Sequence, residues 1–245
     1  MTDISGKLLR VPVASLHLGQ QRLEREAAHY LLHVHRAVVG SRFCAFDVES
    51  ATEASATLVS HDGLIDVESI QPSSCVPRER LILIQAFGKG AKVDSIVRDA
   101  TVLDVTDIYV VSSARSAVTQ SLDTPGRMQR WVKIAVEAAR QCERGNIPSI
   151  KGVVEFSDAV TSLKSFDGCK WLLSPTSQRT FSEALALAGN AEKSLLIGPE
   201  GGFDDTECSI AEAAGFEPVR LGSRILRSET AVTAALGAVA AFRTQ

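Results

Sequence analysis

Apolar residues fall along this chain in two different rhythms. From about residue 80 onward, short and mainly apolar runs alternate with longer stretches of helical spacing. Leu81–Ala86, Ile108–Ser112, Ile150–Val154, Lys170–Leu173 and Ser194–Ile197 are the runs, each of strand length. Helices are expected between them over Ala91–Leu103, Gly126–Cys142, Asp158–Leu163 and Phe181–Ala188. Strands that are apolar throughout are buried on both faces. Alternation with helices therefore predicts an α/β fold with a mostly parallel sheet covered on both sides. Before residue 72 the rhythm is that of short strands: Leu8–Val13, Arg42–Val48, Ala56–Ser60 and Leu64–Ile70. Turns at Gly40-Ser41 and Asp62-Gly63 separate them, and a short helix is expected near Leu23–His33. The expected domains are a small β-rich barrel over residues 1–72 and an α/β domain over 80–245. A linker, 73–79, lies between them, where Pro, Ser and Cys replace the patterned residues.

The sharpest local signals stand near the C-terminus. The run Ser194–Ile197 stops at Gly198-Pro199, and Glu200, Gly201 and Gly202 follow. Adjacent glycines let another molecule approach the backbone closely. Asp204 with Glu207 three residues on is a capping-box start for a helix that ends near Gly215. A loop between a strand end and a helix start is where open α/β sheets bind ligands. The pattern then repeats: a short strand Val219–Gly222, a loop Ser223–Arg227, and Ser228 as N-cap of a helix from Glu229 to about Arg243. Two glycine-marked strand ends together with Arg224 and Arg227 predict one pocket with a cationic edge.

These residues carry a resemblance. LLIGPEGGF (Leu195–Phe203) and LGSRILRSETA (Leu221–Ala231) resemble the signatures of the bacterial 16S rRNA uridine-N3 methyltransferases, members of the SPOUT superfamily of knotted methyltransferases. The resemblance implies a trefoil-knotted C-terminal domain and a PUA-like RNA-binding N-terminal barrel. It also implies S-adenosyl-L-methionine as cofactor, a homodimer, and 16S rRNA in the small ribosomal subunit as partner. Further matches are the Phe87–Gly90 turn, the Arg115 loop, and Glu137, Gln141 and Arg144, which share a helix face at i, i+4, i+7. Departures from the family pattern are Val102, Ala114, Ser174 and His35, and Ser228 stands where Thr is usual.

The resemblance gives each candidate residue a role. Leu173, Ser174, Ile197, Gly198, Pro199, Glu200, Gly201, Gly202, Leu221, Gly222, Ile225, Leu226 and Arg227 are the candidates for wrapping the cofactor. Arg227, Glu200 and Glu229 are the catalytic candidates. N3 of uridine is a weak acid, so a carboxylate is suited to take its proton. An arginine fork is suited to the charge that develops on O2 and O4. Arg10, Arg22, Arg36, Lys89 and Arg115 are the candidate RNA contacts.

Composition narrows the classes without deciding among them. The 245 residues are 45% hydrophobic and 22% charged, ordinary for a globular protein. The net charge of −3 makes RNA binding depend on a local basic patch. Five scattered cysteines without a C-x-x-C pair fit a reducing cytosol and argue against a disulfide framework. His29, His33 and His35 lack an acidic or Cys ligand at metal-binding spacing, so no metal is expected. The polar start Met1–Ser5 and the short final apolar stretch predict neither a signal peptide nor a membrane span. Gly198-x-x-Gly201-Gly202 is neither a P-loop nor a Rossmann fingerprint. Two alternatives remain open: a non-catalytic RNA-binding assembly factor, and a related knotted methyltransferase acting on another RNA.

Overall fold

The structure is a computed structural model and describes residues 8–86, 93–116 and 125–242. The Phe87–Gly90 turn, Lys89 and Lys92 lie outside the described residues. The chain forms two compact units. The first comprises Met1–Val76 with Val136–Ile147, and the second Pro77–Ala135 with Pro148–Gln245.

The first unit is built on a mixed five-stranded sheet in the order β1-β3-β4-β5-β2. The strands are β1 (Arg10–Pro12), β2 (Gly19–Arg22), β3 (Arg42–Asp47), β4 (Thr52–Leu58) and β5 (Leu64–Pro72). β1 runs parallel to β3, and the other pairings are antiparallel. Alternate side chains of β3–β5, including Phe43, Ala56, Leu58 and Ile65, pack with Leu23 and Leu31 into one core. β2 has the sequence GQQR, with no alternation to mark it, and is a strand because it pairs with β5 at the sheet edge. β4 begins before Ala56, and β5 runs on to Pro72. The backbone ladder thus continues through residues whose composition reads as turn. The short helix α1 (Arg25–His29) continues as one π-helical turn over Tyr30–Val34.

The second unit is the expected α/β body. Its six strands lie in the order β11-β9-β10-β6-β7-β8, all parallel. They are β6 (Leu81–Ala86), β7 (Asp107–Ser112), β8 (Ser149–Glu155), β9 (Cys169–Leu173), β10 (Lys193–Ile197) and β11 (Glu217–Val219). The central strands β6 and β10 are buried at every position. Ile82, Ile84, Ala86 and Leu196 face α4 (Phe156–Ser162) and α6 (Asp205–Ala213), where Phe156, Val160 and Ala211 complete a core. The remaining helices are α2 (Val93–Val102), α5 (Phe181–Ala188), α7 (Ser228–Phe242) and α3 (Pro125–Cys142), whose residues from Val136 belong to the first unit. α2 and α7 pack on one another.

Three local expectations need correction. β11 covers Glu217–Val219 rather than starting at Val219, because its partner β9 ends at Leu173. Ser228 is the first residue of α7 rather than the cap before it, and its hydroxyl is committed to another strand end. Glu137, Gln141 and Arg144 do not share a helix face. The helix ends at Cys142, Glu143 takes a left-handed φ of 67°, and Arg144 turns inward to bond Asn146 at 2.9 Å.

Candidate cofactor cleft

β11, β9 and β10 are neighbours, so the loops that follow them emerge side by side at one edge of the sheet. These loops, residues 174–180, 198–204 and 220–227, wall a cleft of about 350 Å³. That volume is in the range of small-ligand sites. Each wall is set by local sequence. Ser174 donates its N–H to the Val219 carbonyl at 2.9 Å, so the first loop is pinned to the end of β11. Thr180 closes that loop with a capping box to Glu183. Asp204 and Glu207 form the predicted capping box of α6. Gly202 has φ +68°, a left-handed turn that glycine adopts without strain. Gly198 is glycine for a different reason. A Cβ there would meet the Phe203 ring at 3.2 Å. Phe203 packs in turn on Phe156, with ring centroids 5.0 Å apart.

Most of the candidate cofactor residues come together in this cleft. Leu173 and Ser174 line it from the first loop, and Ile197, Gly198, Pro199, Glu200 and Gly202 from the second. Leu221, Gly222, Ile225 and Leu226 line it from the third. Gly201, Arg227 and Glu229 do not line it. The Gly201 carbonyl accepts a hydrogen bond from Arg115 Nη1 at 2.8 Å. Arg227 is exposed between Leu226 and Ser228, and its side chain pairs with nothing among the described residues. Arg224 lines the cleft and is likewise unpaired among the described residues. The Glu200 carboxylate lines the cleft, exposed and without a partner among the described residues.

Some lining residues were not marked by the sequence. Thr176, Cys208 and Arg220 are these, and Phe203 and Ala231, which end the two signature stretches, join the wall as well. Phe203 directly follows the glycine pair, and its ring contact explains why. Arg220 stands one residue before Leu221-Gly222, so the extent of the third loop was the missing signal. Burial pushes the Cys208 thiol up, and the nearby carboxylates, Glu212 first, add to that, so it is a neutral thiol at neutral pH.

The loop of residues 113–116 is fastened to the same site. Glu207 is 7% exposed, and its Oε1 accepts the Ala114 N–H at 2.8 Å while Oε2 accepts the Asp204 N–H at 3.0 Å. A carboxylate therefore holds this loop even though residue 114 carries none.

The other candidate RNA contacts lie in the first unit. Arg10 is 11% exposed, bonds Glu53 at 3.0 Å and stacks over Phe46 at 4.4 Å. Arg22 is exposed and bonds Asp62 at 2.5 Å. Arg36 is exposed with φ 52°. The Ser60 hydroxyl, together with Arg22, holds the Asp62 carboxyl down to about 2. His35 turns to the Tyr30 hydroxyl at 2.6 Å, and the His29 and His33 rings stack at 5.0 Å. Among the described residues, no three His, Cys, Asp or Glu side chains are grouped to hold a metal ion. No helix among them is long and apolar enough to cross a membrane.

A family model described as RNA methyltransferase domain matches residues 76–240. The chain belongs to that family. Among its relatives is the ribosomal RNA small subunit methyltransferase E of Synechocystis sp., 31% identical over 87% of this chain and 70% of that protein. The protein of the same name from Mesomycoplasma hyopneumoniae is 31% identical over 63% of this chain and 66% of its own length. A methyltransferase of Legionella pneumophila, solved with S-adenosylmethionine bound, superposes with a TM-score of 0.83. That likeness covers 96% of this chain and 98% of the other, at 26% identity. The parallel-sheet body of this family member thus has the fold of the SPOUT methyltransferases.

The cleft suits the cofactor of such enzymes. Leu173, Ile197, Leu221, Ile225 and Leu226 offer apolar surface for a purine ring. Backbone groups at residues 198–202 and 221–222 offer hydrogen bonds. Nothing stands within 4 Å of a Cβ built on Gly222, so the space before it is open.

Proposed function

We propose that this chain transfers a methyl group from S-adenosyl-L-methionine to N3 of a uridine in the decoding region of 16S rRNA, on the assembled small subunit. One observation carries the reading. The two signature loops wall one cleft, with Arg224 in its lining and Arg227 exposed next to it, neither paired among the described residues, in a chain of an RNA methyltransferase family.

Leu173, Ser174, Ile197–Glu200, Gly202, Leu221, Gly222, Ile225 and Leu226 would hold the cofactor, which would supply a methyl on a sulfonium. Alignment of the uridine nitrogen with that methyl is the main contribution of the loops, since positioning alone supplies several kcal/mol. Arg227 is exposed beside the cleft and steers the nucleotide, stabilising charge on its O2 and O4. Glu200, free of any partner among the described residues, is the candidate to take the N3 proton. Glu229, in the first turn of α7, stands two residues from Arg227 and favours the helix start.

Arg10, Arg22, Arg36, Lys89 and Arg115 are the proposed RNA contacts. The same reading assigns a PUA-like barrel to residues 1–72, a trefoil knot to residues 80–245, a homodimer as the working form, and a cytoplasmic location.

The test is incubation of small subunits lacking the modification with purified protein and methyl-labelled cofactor. N3-methyluridine blocks the Watson–Crick edge, so reverse transcription should stop at one decoding-region uridine. Label on another base, or on ribose, would reassign the reaction. Subunit binding without label would favour the assembly-factor reading.

A further inference from the structure

Gln85 is an amide in an apolar strand. It is 1% exposed near the end of β6, where every other residue is a buried hydrophobe. Ile82, Ile84 and Ala86 face α4 and α6, so Gln85 points to the opposite side, with Leu81 and Leu83. There its Nε2 donates to the Ala86 carbonyl at 2.6 Å and to Ser228 Oγ at 2.8 Å. The Ser228 hydroxyl donates its own hydrogen to the Gly198 carbonyl at 2.9 Å. That hydroxyl has one hydrogen, already given to Gly198, so only a donor can approach it from β6. The amide orientation is therefore fixed by its partners.

This arrangement carries a cost. Gln85 Oε1 is buried and has no hydrogen-bond partner among the described residues. Ser112 Oγ, on the same face of neighbouring β7, is in the same state. A methionine or leucine at position 85 would fill the space and remove the unpaired Oε1, while giving up the two bonds that Nε2 donates. What the amide provides in return is a bond between three segments remote in sequence: the end of β6, the first residue after β10, and the first residue of α7. Gly198 and Ser228 both line the cleft, and Gln85 stands behind them. Ser228 is flanked by Arg227 and Glu229.

We propose that Gln85 is a positioning residue for the cleft. Through Ser228 it sets the Gly198 carbonyl and the start of α7 in one register, so that the glycine loop and Arg227 are aligned before ligand arrives. The inference rests on the cofactor reading above. It goes beyond that reading by assigning a role to a residue that touches neither cofactor nor RNA.

The test is calorimetric titration of the full chain with S-adenosylmethionine, with thermal melts alongside. Gln85→Met and Ser228→Ala should each raise Kd by about tenfold, and the double variant should be no worse than either single, as for members of one relay. Ser228→Thr keeps the hydroxyl and should bind within about twofold of wild type. Gln85→Met should melt close to wild type, because the two bonds lost with Nε2 are offset by the removal of the unpaired Oε1 and by apolar packing in its place. A purely structural amide would show the opposite pattern: a lower melting temperature with Kd unchanged. Folded single variants that bind like wild type, or a double variant whose losses multiply to about a hundredfold, would overturn the proposal. If Gln85→Met does not fold, Ser228→Ala against Ser228→Thr decides alone, since equal affinities would exclude the hydroxyl relay. Wild type that does not bind the cofactor would sink the cofactor reading itself, and the inference with it.

Discussion

Arginines in the first unit and arginines at the cleft are used in opposite ways. In the first unit, Arg10, Arg22 and Arg42 each meet a carboxylate, at 3.0, 2.5 and 2.7 Å. Arg140 bonds Glu137 at 2.6 Å and lies over the Tyr30 ring. At the cleft, Arg224 and Arg227 are exposed and pair with nothing among the described residues. A count of charges does not separate these groups, and the net charge of −3 hides both. What separates them is whether an acid stands within reach. A paired arginine contributes to the fold, whereas an unpaired one at a cleft is available to a substrate. Within the first unit, exposed Arg25 and Arg36 are unpaired too among the described residues, and they follow the cleft pattern.

The comparison breaks most visibly at Arg227. Arg227→Ala should lower the methyl-transfer rate by about 10²–10³-fold, the usual loss for a group that stabilises developing charge. Its melting temperature should stay at the wild-type value, because no partner is orphaned. Arg227→Lys should recover only part of the rate, since a point charge does not replace the fork. Equal losses of rate and stability in Arg227→Ala would place it with the paired arginines instead. Arg10→Ala should do the reverse. It strands Glu53, with only Ser73 Oγ remaining at 3.0 Å, and removes the stack on Phe46. Urea unfolding should register a loss of about 3 kcal/mol, near the low end for breaking a buried pair. Arg22→Ala, in an exposed pair, should cost under about 1 kcal/mol in the same measurement.

A smaller effect tests the glycine loop. Gly202→Val puts a β-branched residue at φ +68° and should cost about 1–2 kcal/mol of stability while weakening cofactor binding. Gly201→Val meets only ordinary contacts with Arg115 at 3.5 Å and should be the milder change in both melting and titration. Equal effects would mean that side-chain bulk, not backbone conformation, is what the loop excludes.

How far the sequence reached follows from the same physics. The parallel sheet was readable because uninterrupted apolar runs such as LILI at Leu81–Ile84 allow little else, and the capping box at Asp204 was readable because it is a local device. The cleft loops were readable from Gly198 and Gly202. Longer-range features were not. β2 is a strand only because β5 offers it an edge, and Arg144 leaves the helix line only because Glu143 turns the chain. The partners of Arg10 and Gln85 lie 43 and 143 residues away, beyond any spacing rule. For the same reason, Gln85 reads in sequence as an unremarked polar residue in a strand.

The smallest effect sharpens the comparison from the paired side. Arg140 donates to the Tyr30 hydroxyl, and the His35 ring meets that same oxygen at 2.6 Å. With Arg140 as donor, the phenol hydrogen is free to go to a neutral imidazole. Burial first, and the Arg140 charge second, hold His35 below its ordinary value. Burial raises Tyr30, which keeps the phenol protonated over the same range. The sign follows from linkage. Below the ordinary histidine value near 6.5, the unfolded chain takes up a proton that the folded chain resists. The stability from neutral His35 is therefore fully present above about pH 6.5 and is lost as pH falls toward the depressed folded value. The other four histidines, His17, His29, His33 and His61, are exposed. Urea unfolding at pH 7.5 and 5.5 should thus show a loss on acidification in wild type that is smaller in His35→Gln, whose amide can still accept the phenol hydrogen at both values. The same pH dependence in both proteins would mean that His35 does not carry it. The Tyr30 hydroxyl would then be held by Arg140 alone, one more arginine engaged in the fold rather than offered to RNA.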